Sequence, residues 1–121
     1  MNFNPAMPIY LQLMAAIKLQ IVAGHLKPGE KIPAVRELAL QYEVNPNTMQ
    51  KALSELEREN LLYSQRTSGR FVTEDTVLIS NLRNELAKTQ VDELIRGLKS
   101  MGYTDEEIIN LIKSYLEGME S

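Results

Sequence analysis

Apolar residues recur along much of the chain at helical spacing. Ile9, Leu13, Ile17 and Ile21 fall four apart, with Tyr10, Met14 and Val22 beside them, so a first helix turns one stripe inward. Pro8 suits its first turn, and Gly24 suits its C-terminal cap, with apolar Leu26 two residues on. Lys27-Pro28-Gly29-Glu30 reads as a tight turn, Pro presetting φ and Gly supplying a positive one. Pro33 then opens a second helix through about Tyr42, with Val35, Leu38, Ala39 and Tyr42 as its inner stripe. A third begins at Asn45-Pro46 and runs to about Glu59. Asn is among the best N-caps, and Pro costs nothing at the first helical position, where its missing N–H would be unpaired anyway. Asn60 can close this helix in the left-handed conformation.

The period then changes. Leu61–Gln65 and Arg70–Thr73 are short and rich in apolar and β-branched residues, and Arg66-Thr67-Ser68-Gly69 between them reads as a hairpin loop. From about Thr76 the spacing is helical again, through Ile79, Leu82, Leu86, Val91, Leu94, Ile95 and Leu98, until Gly102. Thr104 and Glu107 form a capping box for a last helix, with Ile108, Leu111, Ile112, Tyr115 and Met119 on one face. The predicted fold is mainly α with a small β-hairpin. Helix, helix, turn, helix and hairpin make a winged helix-turn-helix over residues 1–75, and two helices make a tail over residues 76–121.

At about 100° per residue, Asn47, Gln50, Lys51 and Ser54 fall within roughly 100° of arc on the third helix, opposite Met49, Ala52, Leu53 and Leu56. The outer face carries amides, a hydroxyl and one ammonium. Asn and Gln amides donate and accept together, matching adenine's paired groups in the major groove; Lys51 can reach guanine acceptors or a phosphate. An exposed helix face is polar for solvation alone, so the weight comes from the parts occurring together. Arg66, Ser68, Gly69 and Arg70 give the hairpin hydroxyl, amide and guanidinium groups suited to phosphate or minor-groove contact. Arg36, on the first turn of the second helix, can reach the backbone beside the groove or pair with a nearby carboxylate.

Charge gives a weak signal. The chain carries −3 overall, but residues 1–74 hold eight Lys/Arg against seven Asp/Glu and residues 75–121 hold five against nine. A near-neutral head before an acidic tail is compatible with nucleic acid if the head's cations share a face. Cysteine is absent, which removes disulfides, thiolate metal sites and thiol nucleophiles and fits a reducing cytoplasm. No signal peptide and no membrane span is visible. His25 is the only histidine, so no Ser/His/Asp set and no HExxH can be assembled. Asp105-Glu106-Glu107 is favourable charge at a helix start rather than a metal site. Neither catalysis nor a cofactor or metal is expected.

The stretches Pro8-Ile9-Tyr10 with Gln12, Leu26 to Pro33, Val35-Arg36-Glu37-Leu38-Ala39, Val44 to Thr48, Ala52-Leu53, Leu56-Glu57 and Gly69 to Val72 resemble the GntR family of bacterial regulators. Val44 to Thr48 with a short two-helix tail is similar to its YtrA subfamily. The resemblance implies a homodimer that binds a two-fold symmetric operator in double-stranded DNA, usually as a repressor. It also implies DNA contacts at Arg36, Asn45, Asn47, Thr48, Gln50, Lys51 and Gly69. Many relatives have Ser at Ala34 and Gly at Glu43 and Thr67, and many have Arg at Pro46, whose loss means that the wider family's operator sequence does not carry over.

About 47 residues remain for the tail. Alone they cannot enclose a typical ligand pocket of roughly 300 Å3 or more. Their apolar faces need cover, and a second copy would supply it through Ile79, Leu82, Leu86, Leu94, Leu98, Ile108, Ile112 and Tyr115. A small-molecule effector has room between tails or between tail and head, but no residue points to one. The competing reading is a winged helix that binds protein rather than DNA.

Overall fold

The computed structural model describes residues 2–119. Five helices and two strands follow in the order α1 (Ile9–Val22), α2 (Val35–Tyr42), α3 (Pro46–Arg58), β1 (Leu62–Gln65), β2 (Gly69–Val72), α4 (Thr76–Ser100) and α5 (Asp105–Met119). The chain divides into two compact units, Met1–Leu82 and Arg83–Ser121, so the first turns of α4 belong with the head rather than with the tail.

The head is built on α3. Met49, Ala52, Leu53 and Leu56 are all 0% exposed, so the face predicted to be apolar is sealed. Against it lie Leu13, Met14, Ile17 and Ile21 of α1 and Leu38 and Ala39 of α2, also buried. Each buried Leu or Ile removes enough apolar surface to contribute about 1.5–3 kcal/mol. The sequence sets the start of α3 locally: Asn45 is extended (φ −63, ψ 135) and its Oδ1 accepts the Asn47 N–H at 2.7 Å, with Pro46 next.

Two boundaries differ from the sequence expectation. Pro8 is the extended N-cap of α1, not part of its first turn. The second helix begins at Val35, because Ile32 donates its N–H to the Arg70 carbonyl at 3.0 Å and Ala34 is the extended N-cap. Pro33 biases Ile32 toward that same extended state. The segment before Pro33 therefore adds a third edge to the hairpin: Lys31 bridges Phe71, and the Val72 N–H donates to the Glu30 carbonyl at 2.9 Å.

The hairpin pairs Leu62 with Val72, Tyr63 with Phe71, Ser64 with Arg70 and Gln65 with Gly69. Gly69 thus closes the ladder instead of lying in the loop, which is Arg66-Thr67-Ser68. Thr67 takes φ 61 there. Leu62 and Val72 point into the core, while the Tyr63 and Phe71 rings stack 5.6 Å apart on the other face.

Asp75 caps α4, its Oδ1 accepting the Leu78 N–H at 3.0 Å. In the second unit the capping box forms as read: Glu107 N–H donates to Thr104 Oγ1 at 3.2 Å, and Thr104 N–H to Glu107 Oε1 at 3.0 Å. Two residues expected on a dimer seam are covered without a second copy. Leu82 and Ile108 are already buried within the single chain and serve as its core. Ile79, Leu86, Leu98 and Ile112 are half-buried, and Leu94 and Tyr115 stand exposed.

Candidate nucleic-acid interface

With its apolar side sealed, α3 turns Asn47, Gln50, Lys51 and Ser54 to solvent. Gln50 donates through Nε2 to Ser54 Oγ at 3.1 Å. That bond holds the amide plane along the helix and leaves its carbonyl and its second N–H free, the pair that matches adenine. Thr48, half-buried, sits at the edge of this face. Asn45 lies exposed at its start, but its side-chain oxygen is committed to the cap.

Both flanks of the face are pinned by ion pairs from the C-terminal half of α3. On one flank Glu57 accepts from Ser64 Oγ at 2.6 Å and from Arg70 Nε, the opposed pair on β1 and β2. Burial alone would raise the Glu57 carboxyl. The bonds from Ser64 and Arg70 and the Arg70 charge outweigh it and hold the group below its ordinary value. On the other flank Lys18 of α1 pairs with Glu59 at 2.9 Å. Glu55 takes Arg58 at 3.5 Å. Every glutamate of α3 is thus offset by a cation, which mutes its repulsion of a polyanion.

Arg70, expected beside Arg66 as a DNA contact of the wing, is engaged within the chain. Its side chain is only 18% exposed and turned to Glu57, so it ties the wing to α3. Arg66, Ser68 and Gly69 do stand exposed at the tip. Among the described residues of the head, Lys27, Lys31, Arg36, Lys51 and Arg66 are exposed cations outside the ion pairs. Lys31 escaped the sequence reading. It lies along the wing, its Cε 3.0 Å from where a Cβ on Gly69 would stand, and Gly69 has φ +112. Any side chain at 69 would be both strained and crowded. Lys31, Ser68, Gly69 and the turn into α2 line a groove of about 380 Å3 between wing and helix. Its signal was a lysine in an extended segment just before a proline.

No group of His, Asp and Glu able to hold a metal occurs among the described residues. A pocket of about 140 Å3 between α1 and α2, lined by Ile17, Leu26, Ile32, Leu38 and Tyr42, is smaller than ligand pockets usually are. No helix among those residues is long and apolar enough to cross a membrane.

Comparison with known proteins agrees with this geometry. The sequence profile for bacterial regulatory proteins of the gntR family matches residues 9–72. The HTH-type transcriptional repressor YtrA of Bacillus subtilis (strain 168) is 37% identical over 108 residues, 88% of this chain and 82% of that protein. A GntR family transcriptional regulator from Listeria monocytogenes superposes with a TM-score of 0.86 at 38% identity, over 93% of this chain and 98% of its own. The crystal structure of AraR(DBD) in complex with operator ORX1 matches with a TM-score of 0.56 at 34% identity, over 60% of this chain and 93% of its own.

Proposed function

The chain belongs to the GntR family of bacterial regulatory proteins, and from that premise we propose that it is a homodimeric repressor reading a two-fold symmetric operator. The coarser statement needs no proposal: it is a DNA-binding transcriptional regulator with the winged helix of that family, whose members here are regulators and not enzymes.

One observation carries the reading. The outward face of α3 presents Asn47, Gln50, Lys51 and Ser54, while Glu57 and the cap residue Glu59 are paired on its flanks with Arg70 and Lys18, and Glu55 with Arg58. Inserted into a major groove, such a face offers base edges two amides and a hydroxyl. Arg36, Lys31 and the wing tip at Arg66, Thr67, Ser68 and Gly69 would lie along the phosphates. A repressor is favoured because YtrA carries that description. Its place of work would be the bacterial cytoplasm, beside the chromosome.

Dimerisation is assigned to the tail. Leu94, Tyr115, Leu116 and Met119 are each about half or more exposed on a unit of fewer than forty residues. Apolar side chains at that density want cover, and a second copy related by a two-fold axis gives two recognition helices for two half-sites. The proposed seam therefore comprises Leu86, Leu94, Leu98, Ile112 and Tyr115 of the tail, with Ile79 from the turns of α4 that belong to the head, and leaves out Leu82 and Ile108.

The test is selection of bound sequences from random duplex DNA with the full chain, followed by titration at several salt concentrations. Inverted repeats about 34 Å apart are expected, with affinity falling steeply as salt rises. Absence of any enriched sequence, or binding indifferent to salt, would favour a winged helix that docks on protein.

A further inference from the structure

Lys51 has two destinations in a groove, a guanine edge or a phosphate. The Lys51 Nζ lies 4.0 Å from the centroid of the Tyr10 ring. A cation over a tyrosine face is held by the ring's quadrupole. Resting on the regulator reading above, we infer that Tyr10 seats Lys51 as a phosphate contact and that base reading belongs to Asn47 and Gln50.

At about 100° per residue, with Asn47 as origin, Ser54 lies near −20°, Gln50 near −60° and Glu57 near −80°, whereas Lys51 lies near +40° and Glu59 near +120°. The wing is fastened on the negative side through Glu57, and α1 on the positive side through Lys18 and Glu59. Lys51 to Tyr10 is a second tie on that positive flank, eight residues before the first on both helices. The ammonium is drawn away from the amides and toward α1. Gln50 and Lys51 stand equally far from the middle of the outward face, and what separates them is the Tyr10 ring, which holds the Lys51 ammonium on the α1 side, beside the phosphates that wall the groove. Seating the side chain on a ring also removes rotamer freedom that a lysine otherwise loses on binding.

The experiment measures affinity of the full chain for the duplex enriched by selection, for its single-base variants and for an unrelated duplex, at several salt concentrations. Lys51→Met is expected to weaken all of them by one common factor and to lower the salt slope by about 1. Tyr10→Leu should weaken all by about two- to fivefold, and Tyr10→Phe, which keeps the ring face, should restore most of the loss. In a Lys51→Met background Tyr10→Leu should have no further effect. In the free protein, the Lys51 Cε protons should show an upfield ring-current shift that Tyr10→Leu abolishes and Tyr10→Phe keeps.

A changed base preference at one operator position in Lys51→Met would make Lys51 a base reader and overturn the assignment. So would an undiminished loss from Tyr10→Leu when Lys51 is already Met. If the unsubstituted protein enriches no duplex, the regulator reading falls and this inference with it. If it enriches one and the Tyr10 variants bind as it does, only the inference falls.

Discussion

Arg70 of β2 donates through Nε to Glu57 of α3, so the wing is fastened to the recognition helix by a single carboxylate that also accepts the Ser64 hydroxyl. That carboxyl titrates below its ordinary value of 4.5 in the folded chain. Its contribution to stability is therefore fully present above that value and is lost as pH falls through the lower, folded one. The urea midpoint of the parent chain should exceed that of Glu57→Gln at neutral pH, and the gap should close only in acid. A Glu57 carboxyl titrating above 4.5 by NMR would contradict the arrangement.

Arg66 and Arg70 look alike in the sequence and should behave differently. Arg66 is exposed at the tip, whereas Arg70 is turned to Glu57. Arg66→Ala should reduce the salt slope of DNA binding by about 1 and leave the fold untouched. Arg70→Ala should lower stability by on the order of 1 to 2 kcal/mol, since it strips a charged hydrogen bond from a half-buried carboxylate. Equal salt slopes for Arg66→Ala and the parent chain would remove the wing tip from the interface.

The contrast also marks what the sequence could and could not reveal. The inward and outward faces of α3 follow from a fixed rotation per residue, so Met49, Leu53 and Leu56 against Asn47, Gln50 and Ser54 were legible from spacing alone. The caps at Asn45 and Thr104 were legible because each uses a side chain within three residues. Arg70 on Glu57, Lys31 along the wing and Lys51 on Tyr10 were not, because each joins elements whose approach only tertiary packing sets. The late start of α2 has the same origin: Ile32 is claimed by the sheet before the helix can extend to Pro33. Helical spacing likewise marked Leu82 and Ile108 as apolar but did not say which surface would cover them.

Glu43 closes α2 in the left-handed conformation, at φ 56 and ψ 49. A residue with a Cβ is strained there by about 1 to 2 kcal/mol, and Gly is not. Gly also frees the unfolded chain, which offsets about 0.5 to 1 kcal/mol of the relief. Glu43→Gly should therefore stabilise the chain by about 0.5 to 1 kcal/mol. A urea midpoint that falls would show that the glutamate side chain makes a stabilising contact outweighing its strain.

Neighbours on α3 separate packing from recognition. Leu53 is 0% exposed and Ser54 stands in solvent. Leu53→Ala leaves a cavity beneath the recognition helix and should cost about 2 to 5 kcal/mol. Ser54→Ala should leave the unfolding midpoint within error while freeing the Gln50 amide from its 3.1 Å bond. Operator preference should then relax at the position Gln50 reads, as seen by competition among single-base variants. Preserved preference in Ser54→Ala would mean that the Gln50 orientation is set by the DNA itself.

The tail separates in the same way. Leu94 is 49% exposed and Leu82 9%. A charge at Leu94 meets water in a lone chain but an apolar wall in the proposed dimer, so Leu94→Asp should yield folded monomers. A charge at Leu82 is buried in either case and should unfold the chain. Sedimentation and helicity measured together distinguish these: Leu94→Asp should lose mass and keep its helix signal. Monomers should also bind the selected duplex less tightly, because two half-sites no longer engage through one linked pair. An intact dimer for Leu94→Asp would place the seam on another face of the tail, and the exposed Tyr115 and Leu116 of α5 would be the next positions to substitute.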